Sequence, residues 1–331
     1  MSRAVLLRQQ PLRSIIRNAG IIFASLFLSG CAAANLNKLA ISSIAVTQAK
    51  APGIAPGEKS SLVVSMTEAN GKSLATNADG EQKIRWSDLN ITATVVKADK
   101  KGNVKLASDP RTSFGKQPHV SVSVPSHPDL HADLDIPLRY DHAYTARYAG
   151  MSGTSGLNGT NGMDGMAGSN GSTDPNSPTP GGNGSNGTNG TDGAAGSNGD
   201  DGPPVTVLVA TKGGIHPLLQ ISVSAERKQK YFIVDPDGGS LTVISEGGSG
   251  GSGGKGGRGG RGGSGGSGWP PGISGMDGSD GHDGNSGQSG NGGSITVLYD
   301  PQARSFLSAI RASSPNGPSP IFREQTVASA W

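Results

Sequence analysis

The residue with the most distinctive chemistry is Cys31, the only cysteine in the chain. It follows a basic stretch without acidic residues and then a short apolar run over residues 21–28. That run is too short to cross a bilayer, which needs about 20 apolar residues. A charged stretch, a short apolar run and small residues before a cleavage site predict an export signal over residues 1–30. A lone thiol has no intrachain disulfide partner, so we expect its chemistry to be covalent modification.

The tetrapeptide that ends in this cysteine, Leu28-Ser29-Gly30-Cys31, resembles the lipobox of bacterial lipoproteins. The resemblance implies that the sulfur carries a diacylglycerol, that cleavage precedes Cys31, and that the new amino group is acylated. Two acyl chains already give stable anchoring, so residues 31–35 would be a durable tether to the membrane. Ala32 stands where enterobacterial-type sorting would read Asp as a retention signal, which implies the outer membrane of a Gram-negative bacterium. An ordinary signal peptide with an incidental cysteine is the alternative.

Other groups that could do chemistry are sparse. His127, His131 and His142 lie near aspartates, and His-x3-His on a helix could bind a metal. His127-Pro128 and the alternation after it favour a loop and a strand instead. No nucleophile elbow, phosphate-binding loop or paired-carboxylate motif is present in the sequence. We therefore expect a protein that is not an enzyme and that has no metal site and no cofactor.

Composition argues against several classes of function and against one large core. Aromatic residues make up 4% of the 331 residues, and hydrophobic residues 33%. The net charge is +3, and four arginines fall in the first 17 residues. The mature chain is therefore close to neutral, which makes nucleic acid a poor partner.

Residues 36–149 have ordinary composition and predict a β-sandwich. Apolar and polar residues alternate in several short segments, which is typical of half-buried strands. Turn signals separate these segments, and Asn70-Gly71 is a typical hairpin turn. Trp86 is a candidate core residue. The layout resembles that of bacterial Ig-like modules. The predicted strands are Leu39–Val46, Ser61–Met66, Leu89–Val96, Val104–Ala107, His119–Val124 and Leu134–Arg139.

Residues 150–311 differ in composition from the preceding part of the chain, since 45 of the 54 glycines fall between Gly150 and Gly293. Glycine recurs at every third residue in four segments, each with eight glycines in phase. We name them the first to fourth glycine segments: 150–171, 181–202, 247–268 and 272–293. Their equal lengths predict parts that pack side by side.

A period of three residues fits the polyproline II helix, which has no internal hydrogen bonds. Each segment would be a rod about 68 Å long at a rise of ~3.1 Å per residue. Three interpretations stay open at this point. They are a collagen triple helix, a disordered tract, and a bundle of rods within one chain, which equal lengths and proline-rich connections favour. The bundle resembles the polyglycine-type helices of snow-flea antifreeze protein and of certain phage tail-fibre adhesins.

The third segment has two glycines in every three residues, so two of its faces are bare and we expect it to be the most buried. Its remaining face carries Lys255, Arg258 and Arg261 in a row. The fourth segment carries Asp277, Asp280 and Asp283 at the same spacing. We predict that these two charge stripes lie side by side and set the pairing and register of the segments. A calcium site on the aspartates is the alternative, although the run lacks the apolar position of calcium-binding nonapeptide repeats.

Short strands alternate with the glycine segments, and part of the module is duplicated. Residues 205–208 match residues 295–298, and residues 219–221 roughly match 307–310, which predicts two copies of rod, turn, rod, strand, strand. Both turns then lie at one end, away from the strands. Trp269 and Asn176 in these turns are the candidate ligand contacts. The predicted strands are Val205–Ala210, Leu218–Ala225, Tyr231–Val234, Ser240–Ile244, Ser294–Tyr299 and Phe306–Ile310, and residues 312–331 are predicted to be a C-terminal tail.

Taken together, these features predict an all-β, lipid-anchored envelope protein with a structural or adhesive role at the cell surface. A module that binds glycan or another ligand through the sandwich or the turn end is the alternative. The expected partners are the membrane, through the lipid, and a surface polysaccharide or protein.

Overall fold

A computed structural model describes residues 34–50, 52–77, 82–214, 216–329 and 331. The export signal and Cys31 lie outside the described residues. The described chain is all-β, as predicted, with 17 strands and four short 3-10 helices. None of its helices is long and apolar enough to cross a membrane.

The N-terminal strands form two sheets around one core. The first sheet has the order β4-β3-β2-β7-β6 with β1 paired to β2, and the second has the order β5-β8-β9. The alternation along β8 is regular, since every second residue is buried. The strands are β1 Ile41–Gln48, β2 Lys59–Glu68, β3 Ser73–Ala75, β4 Gln82–Lys83, β5 Asn90–Thr94, β6 Val96–Ala98, β7 Asn103–Leu106, β8 His119–Val124 and β9 His127–Asp135.

The core between these strands consists of aliphatic side chains, and Trp86 packs against it while half-buried. Gly71 lies in the turn between β2 and β3 with a positive φ of 88°, as the Asn-Gly signal predicts. The predicted strand Leu134–Arg139 is wrong, because the strand in this region is β9. His127 and Pro128, predicted to lie in a loop, are the first two residues of β9. An edge strand tolerates a proline, and β9 is bonded to β8 alone in its sheet.

The later strands form two further sheets. One has the order β10-β14-β16 with parallel pairing, and the other has the order β13-β12-β11-β15-β17. A second core lies between them, with Val207, Val223, Leu241 and Val297 fully buried. The strands are β10 Ala143–Ala149, β11 Val205–Lys212, β12 Leu218–Ala225, β13 Lys228–Val234, β14 Ser240–Glu246, β15 Ile295–Tyr299, β16 Ile310–Ser313 and β17 Ile321–Glu324.

The predicted boundary at residue 149 does not separate the two cores. Strand β10 pairs in parallel with β14, in register from Ala143 opposite Ser240. It therefore belongs to a sheet of the second core, although nothing in its own sequence distinguishes it from the earlier strands. The predicted tail is also part of the fold, since β17 pairs with β15 and the Trp331 ring packs edge-on against Tyr231 at 5.6 Å.

The predicted strand Phe306–Ile310 is wrong over most of its length. Residues Pro301–Ala309 form a 3-10 helix, and only Ile310 begins a strand. Asp300 caps this helix, because its side chain accepts a hydrogen bond from the Gln302 amide, and Pro301 suits the first helical position. This local signal overrides the apolar pattern that favoured a strand.

The two matching sequences of the predicted duplication lie side by side. Strands β11 and β15 pair in parallel with Val205 opposite Ile295. The rough match of residues 219–221 with 307–310 has no structural counterpart, since one is strand and the other 3-10 helix. The equivalent partners are instead β10 and β14, each of which precedes a glycine segment.

Candidate interaction surfaces of the glycine segments

The glycine segments lie side by side and are joined by backbone hydrogen bonds that recur every three residues. The Gly159 amide donates to the carbonyl of Lys255 at 2.7 Å, and the Gly257 amide to that of Thr191 at 2.8 Å. The first segment runs parallel to the third and antiparallel to the second. The fourth runs parallel to the second and antiparallel to the third. The second and third segments therefore each contact all three others.

The third segment is the most buried of the four, as its two bare faces predict. Its glycines from Gly248 to Gly266 in steps of three are buried, whereas most repeat glycines of the other segments are only half-buried. A Cβ atom on Gly257 would overlap the Thr160 carbonyl of the first segment. A Cβ atom on Gly256 would overlap the Gly281 carbonyl of the fourth. Only glycine allows the backbones to approach this closely.

Short polar side chains supply a second set of acceptors between the segments. On the first segment, Asn161 Oδ1 accepts the amide of Arg258 at 2.9 Å. On the second segment, Asn189 Oδ1 accepts the amide of Ser279 at 2.9 Å. Serine and threonine hydroxyls do the same, since Thr188 Oγ1 accepts the Met163 amide at 2.7 Å. Sequence reasoning missed this role, although Asn, Asp, Ser or Thr at fixed positions of the triplet was the signal for it.

The two charge stripes lie side by side, but their side chains do not pair in the predicted way. Asp283, Asp280 and Asp277 accept the backbone amides of Gly256, Gly259 and Gly262 at 2.7–2.8 Å. The one ion pair described between the stripes joins Lys255 Nζ and Asp283 Oδ2 at 3.9 Å, and both side chains are exposed. An exposed pair contributes only about 0–1 kcal/mol. The aspartates therefore act on the pairing of the segments mainly through backbone amides.

The two turns lie at one end of the module, as predicted. The Trp269 amide donates to the Thr179 carbonyl at 2.9 Å, and the Gly181 amide to the Pro270 carbonyl at 2.9 Å. The Trp269 side chain is 72% exposed. Asn176 is exposed in the longer turn, where its amide donates to Asp174 Oδ1 at 2.9 Å. The structure therefore brings both candidate contact residues to the turn end.

A row of exposed apolar side chains on the first segment was not predicted. Each member follows a repeat glycine, so their spacing is three residues or a multiple of three. The members are Met151, Leu157, Met163 and Met166, each at least 75% exposed. The repeat could have predicted this row, since residues at the same position of successive triplets lie on the same face of a segment.

The histidines of the N-terminal part are dispersed. His127 Nε2 contacts the Leu39 carbonyl at 2.9 Å, and His142 packs against the Tyr144 ring. His119 lies between Asp135, at 2.8 Å, and Asp133, at 3.5 Å. The hydrogen bond with Asp135 raises the pKa of His119 above its usual value. Among the described residues, no cluster of three or more His, Cys, Asp or Glu side chains is arranged to hold a metal ion.

Comparisons with known proteins place this chain in no family. No protein-family model matches the sequence, and no curated protein matches it. Among solved structures, the chain is similar to a crystal structure of the S-layer protein rSbsC, with 10% identity and a TM-score of 0.22. That likeness covers 63% of this chain and 29% of the other. Such a low TM-score carries no argument about fold or function.

Replacing Gly257 by alanine tests the close approach of the segments. The added methyl would overlap the Thr160 carbonyl, so the segments must separate and lose hydrogen bonds at that level. We expect Gly257→Ala to lower the free energy of unfolding by about 1–3 kcal/mol, the usual cost of overpacking. The matched control is Lys255→Ala, which places alanine on the exposed face of the same segment. Urea denaturation followed by circular dichroism measures both, and equal midpoints would contradict the packing described.

Substitutions in the charge stripes separate the acceptor role from ion pairing. Removal of the acceptors in Asp277→Ala, Asp280→Ala and Asp283→Ala together should destabilise the module by about 1 kcal/mol for each lost hydrogen bond. The Asp→Asn triple variant keeps an acceptor oxygen and should stay close to the parent. The alanine triple variant at Lys255, Arg258 and Arg261 should also have little effect. Ion pairing would be the main interaction if the Asp→Asn triple variant and the alanine triple variant at Lys255, Arg258 and Arg261 both lose as much stability as the Asp→Ala triple variant.

Proposed function

We propose that this protein is a lipid-anchored envelope protein with a structural or adhesive, non-enzymatic role at the cell surface. In this account Cys31 carries the lipid, and the protein is held in the outer membrane of a Gram-negative bacterium. The β-strands then form the base, and the glycine segments form a stiff polyproline II bundle. The observation that carries the proposal is the regular hydrogen-bond network that joins the four segments.

The three-residue recurrence of these hydrogen bonds supports polyproline II geometry. A polyproline II helix presents its amides outward, where they bond to water or to a neighbouring segment. The described segments donate to one another within a single chain, with donor–acceptor distances of 2.5–2.9 Å between backbone groups. This favours an intrachain bundle over a collagen triple helix, which would take its partners from two other chains. A bundle of this length would extend about 68 Å from its base.

We propose that the N-terminal strands form a β-sandwich. Its two sheets share one aliphatic core, and inward-facing residues alternate with outward-facing ones. This arrangement supports a likeness to bacterial Ig-like modules in layout. In such an architecture the strands serve as the spacer between the lipid and the glycine segments.

Substitution of the lipid attachment site tests the anchoring. In the producing cell, the parent protein should fractionate with the outer membrane and incorporate labelled palmitate. Cys31→Ser should remove the label, because the sulfur that starts lipid attachment is absent. The matched control is Ser29→Ala, which keeps a small residue in the lipobox and should keep the label. Label that persists in Cys31→Ser would contradict the anchor.

Ligand binding at the turn end is the second candidate function, favoured by the exposure of Trp269. An aromatic ring that is 72% exposed among prolines offers a flat apolar surface, as contact residues at interfaces often do. A groove of about 440 Å³, lined by Trp86, Asn90 and Asp99 among others, offers a second place for a glycan.

Binding of the purified protein to surface polysaccharide from the producing cell tests this alternative. We expect Trp269→Ala to weaken binding by about tenfold or more if the turn end is the contact, as for a typical central contact residue. The matched control is Met151→Ala, since Met151 is 75% exposed at the opposite end of the segments, next to the strands. Unchanged binding by Trp269→Ala would exclude the turn end as the binding site. Loss of binding in Asn90→Ala would place the contact in the groove beside Trp86.

A further inference from the structure

The exposed apolar row of the first segment lies directly beside a row of short side chains on the second. Backbone hydrogen bonds of 2.8–2.9 Å place Leu157 level with Ala194 and Met163 level with Thr188. In the same way, Met166 is level with Ser185. The side chains of the two rows lie on one side of the bundle, because the hydroxyls of Thr160 and Thr191 are 3.1 Å apart. We call this surface the methionine face, formed by those residues of 151–169 and 182–200 that follow repeat glycines.

The methionine face is distinguished from the rest of the bundle by its low charge. Among the residues that form it, Asp200 alone is ionisable, and it is level with Met151 at the end next to the strands. By contrast, the side chains between the second and fourth segments include Asp192 and His282, 3.3 Å apart. Those between the third and fourth include the two charge stripes. A surface with one ionisable residue, several large apolar side chains and hydroxyls has the composition of an interface core, in which methionine is enriched and charge is depleted.

We propose that the methionine face binds the same face of a second copy of this chain. A two-fold axis parallel to the segments would place the long row of each copy over the short row of the other. Leu157 would then lie over the partner's Ala194, and Met163 over the partner's Thr188, at unchanged levels along the bundle. Such an interface is self-complementary, as a two-fold interface must be.

The orientation and the area agree with this partner. The axis keeps the segments of both copies parallel, so both strand bases lie at one end, as two copies anchored in one membrane require. A face of 19 residues at ~3.1 Å per residue is about 59 Å long and, two hydrogen-bonded chains wide, about 10 Å across, so it covers on the order of 600 Å² per copy. Two such faces bury on the order of 1,200 Å², at the lower end of the range of about 1,200–2,000 Å² for specific interfaces. This inference rests on the proposed anchoring and polyproline II geometry.

Sedimentation of the full-length protein in a mild, density-matched detergent tests the proposal. The parent should sediment as a dimer at micromolar concentration. The variant with Leu157→Ser, Met163→Ser and Met166→Ser should raise the dissociation constant by about tenfold or more. These side chains are exposed, so the substitutions leave the hydrogen-bond network in place. The matched control is Ile273→Ser with Met276→Ser, which removes equally exposed apolar side chains from another side of the bundle and should leave the dimer intact.

A parent that stays monomeric at all concentrations would overturn the proposal, as would equal weakening in both variants. Loss of binding to phosphatidylglycerol-containing vesicles by the methionine-face variant, without a change in mass, would assign the face to lipid and also overturn it. Circular dichroism of the same samples distinguishes failure of the dimer proposal from failure of the proposed bundle. A polyproline II spectrum at monomer mass contradicts only the dimer. A spectrum without the polyproline II signal contradicts the bundle itself.

Discussion

The order of the four glycine segments depends on hydrogen-bond partners for their backbone amides. The four segments lack the hydrogen bonds that stabilise an α-helix from within, so every buried amide must be satisfied by a neighbour. Glycine at every third residue lets the backbones approach, and the Gly257 amide reaches the Thr191 carbonyl at 2.8 Å. In the third segment many of the remaining amides are also satisfied; Gly256 and Arg258, for example, donate to side chains of the fourth and first segments. The four segments can thus be ordered with almost no apolar core of their own.

A repeat of three residues has a weakness, because a slip by one triplet preserves most backbone hydrogen bonds. The strands at the base remove this ambiguity. Strand β10 pairs with β14 up to Ala149 opposite Glu246, and the Gly150 amide continues the same pairing by donating to the Glu246 carbonyl. Strands β11 and β15 do the same for the second and fourth segments. Register is therefore set by strands with large, specific side chains in a packed core, where a shift of one residue would expose buried groups.

The sequence was sufficient to predict the parts with strong periodicity. The four segments, the burial of the third and the shared turn end follow from glycine spacing and chain direction. The side-chain acceptors did not follow, because the role of Asn161 or Asp280 depends on which segments are neighbours. Likewise, β10 carries no local mark of its partner, and Asp300 fixed a 3-10 helix where alternation favoured a strand. Of the candidate site, Trp269 and Asn176 were correctly placed at one end, while Cys31 lies outside the described residues.

The central claim is that the inter-segment hydrogen bonds hold the four segments together, and amide hydrogen exchange tests it directly. Exchange is slow only where an amide is bonded in a stable structure. In the third segment, all three amides of the triplet Gly256, Gly257 and Arg258 should exchange slowly. In the second segment, the amides of Gly187 and Thr188 should be slow, whereas that of Asn189, which has no acceptor among the described residues, should be fast. Three slow amides in this triplet of the third segment and two in that of the second would support the inter-segment hydrogen bonds, and uniformly fast exchange across residues 150–293 would contradict them.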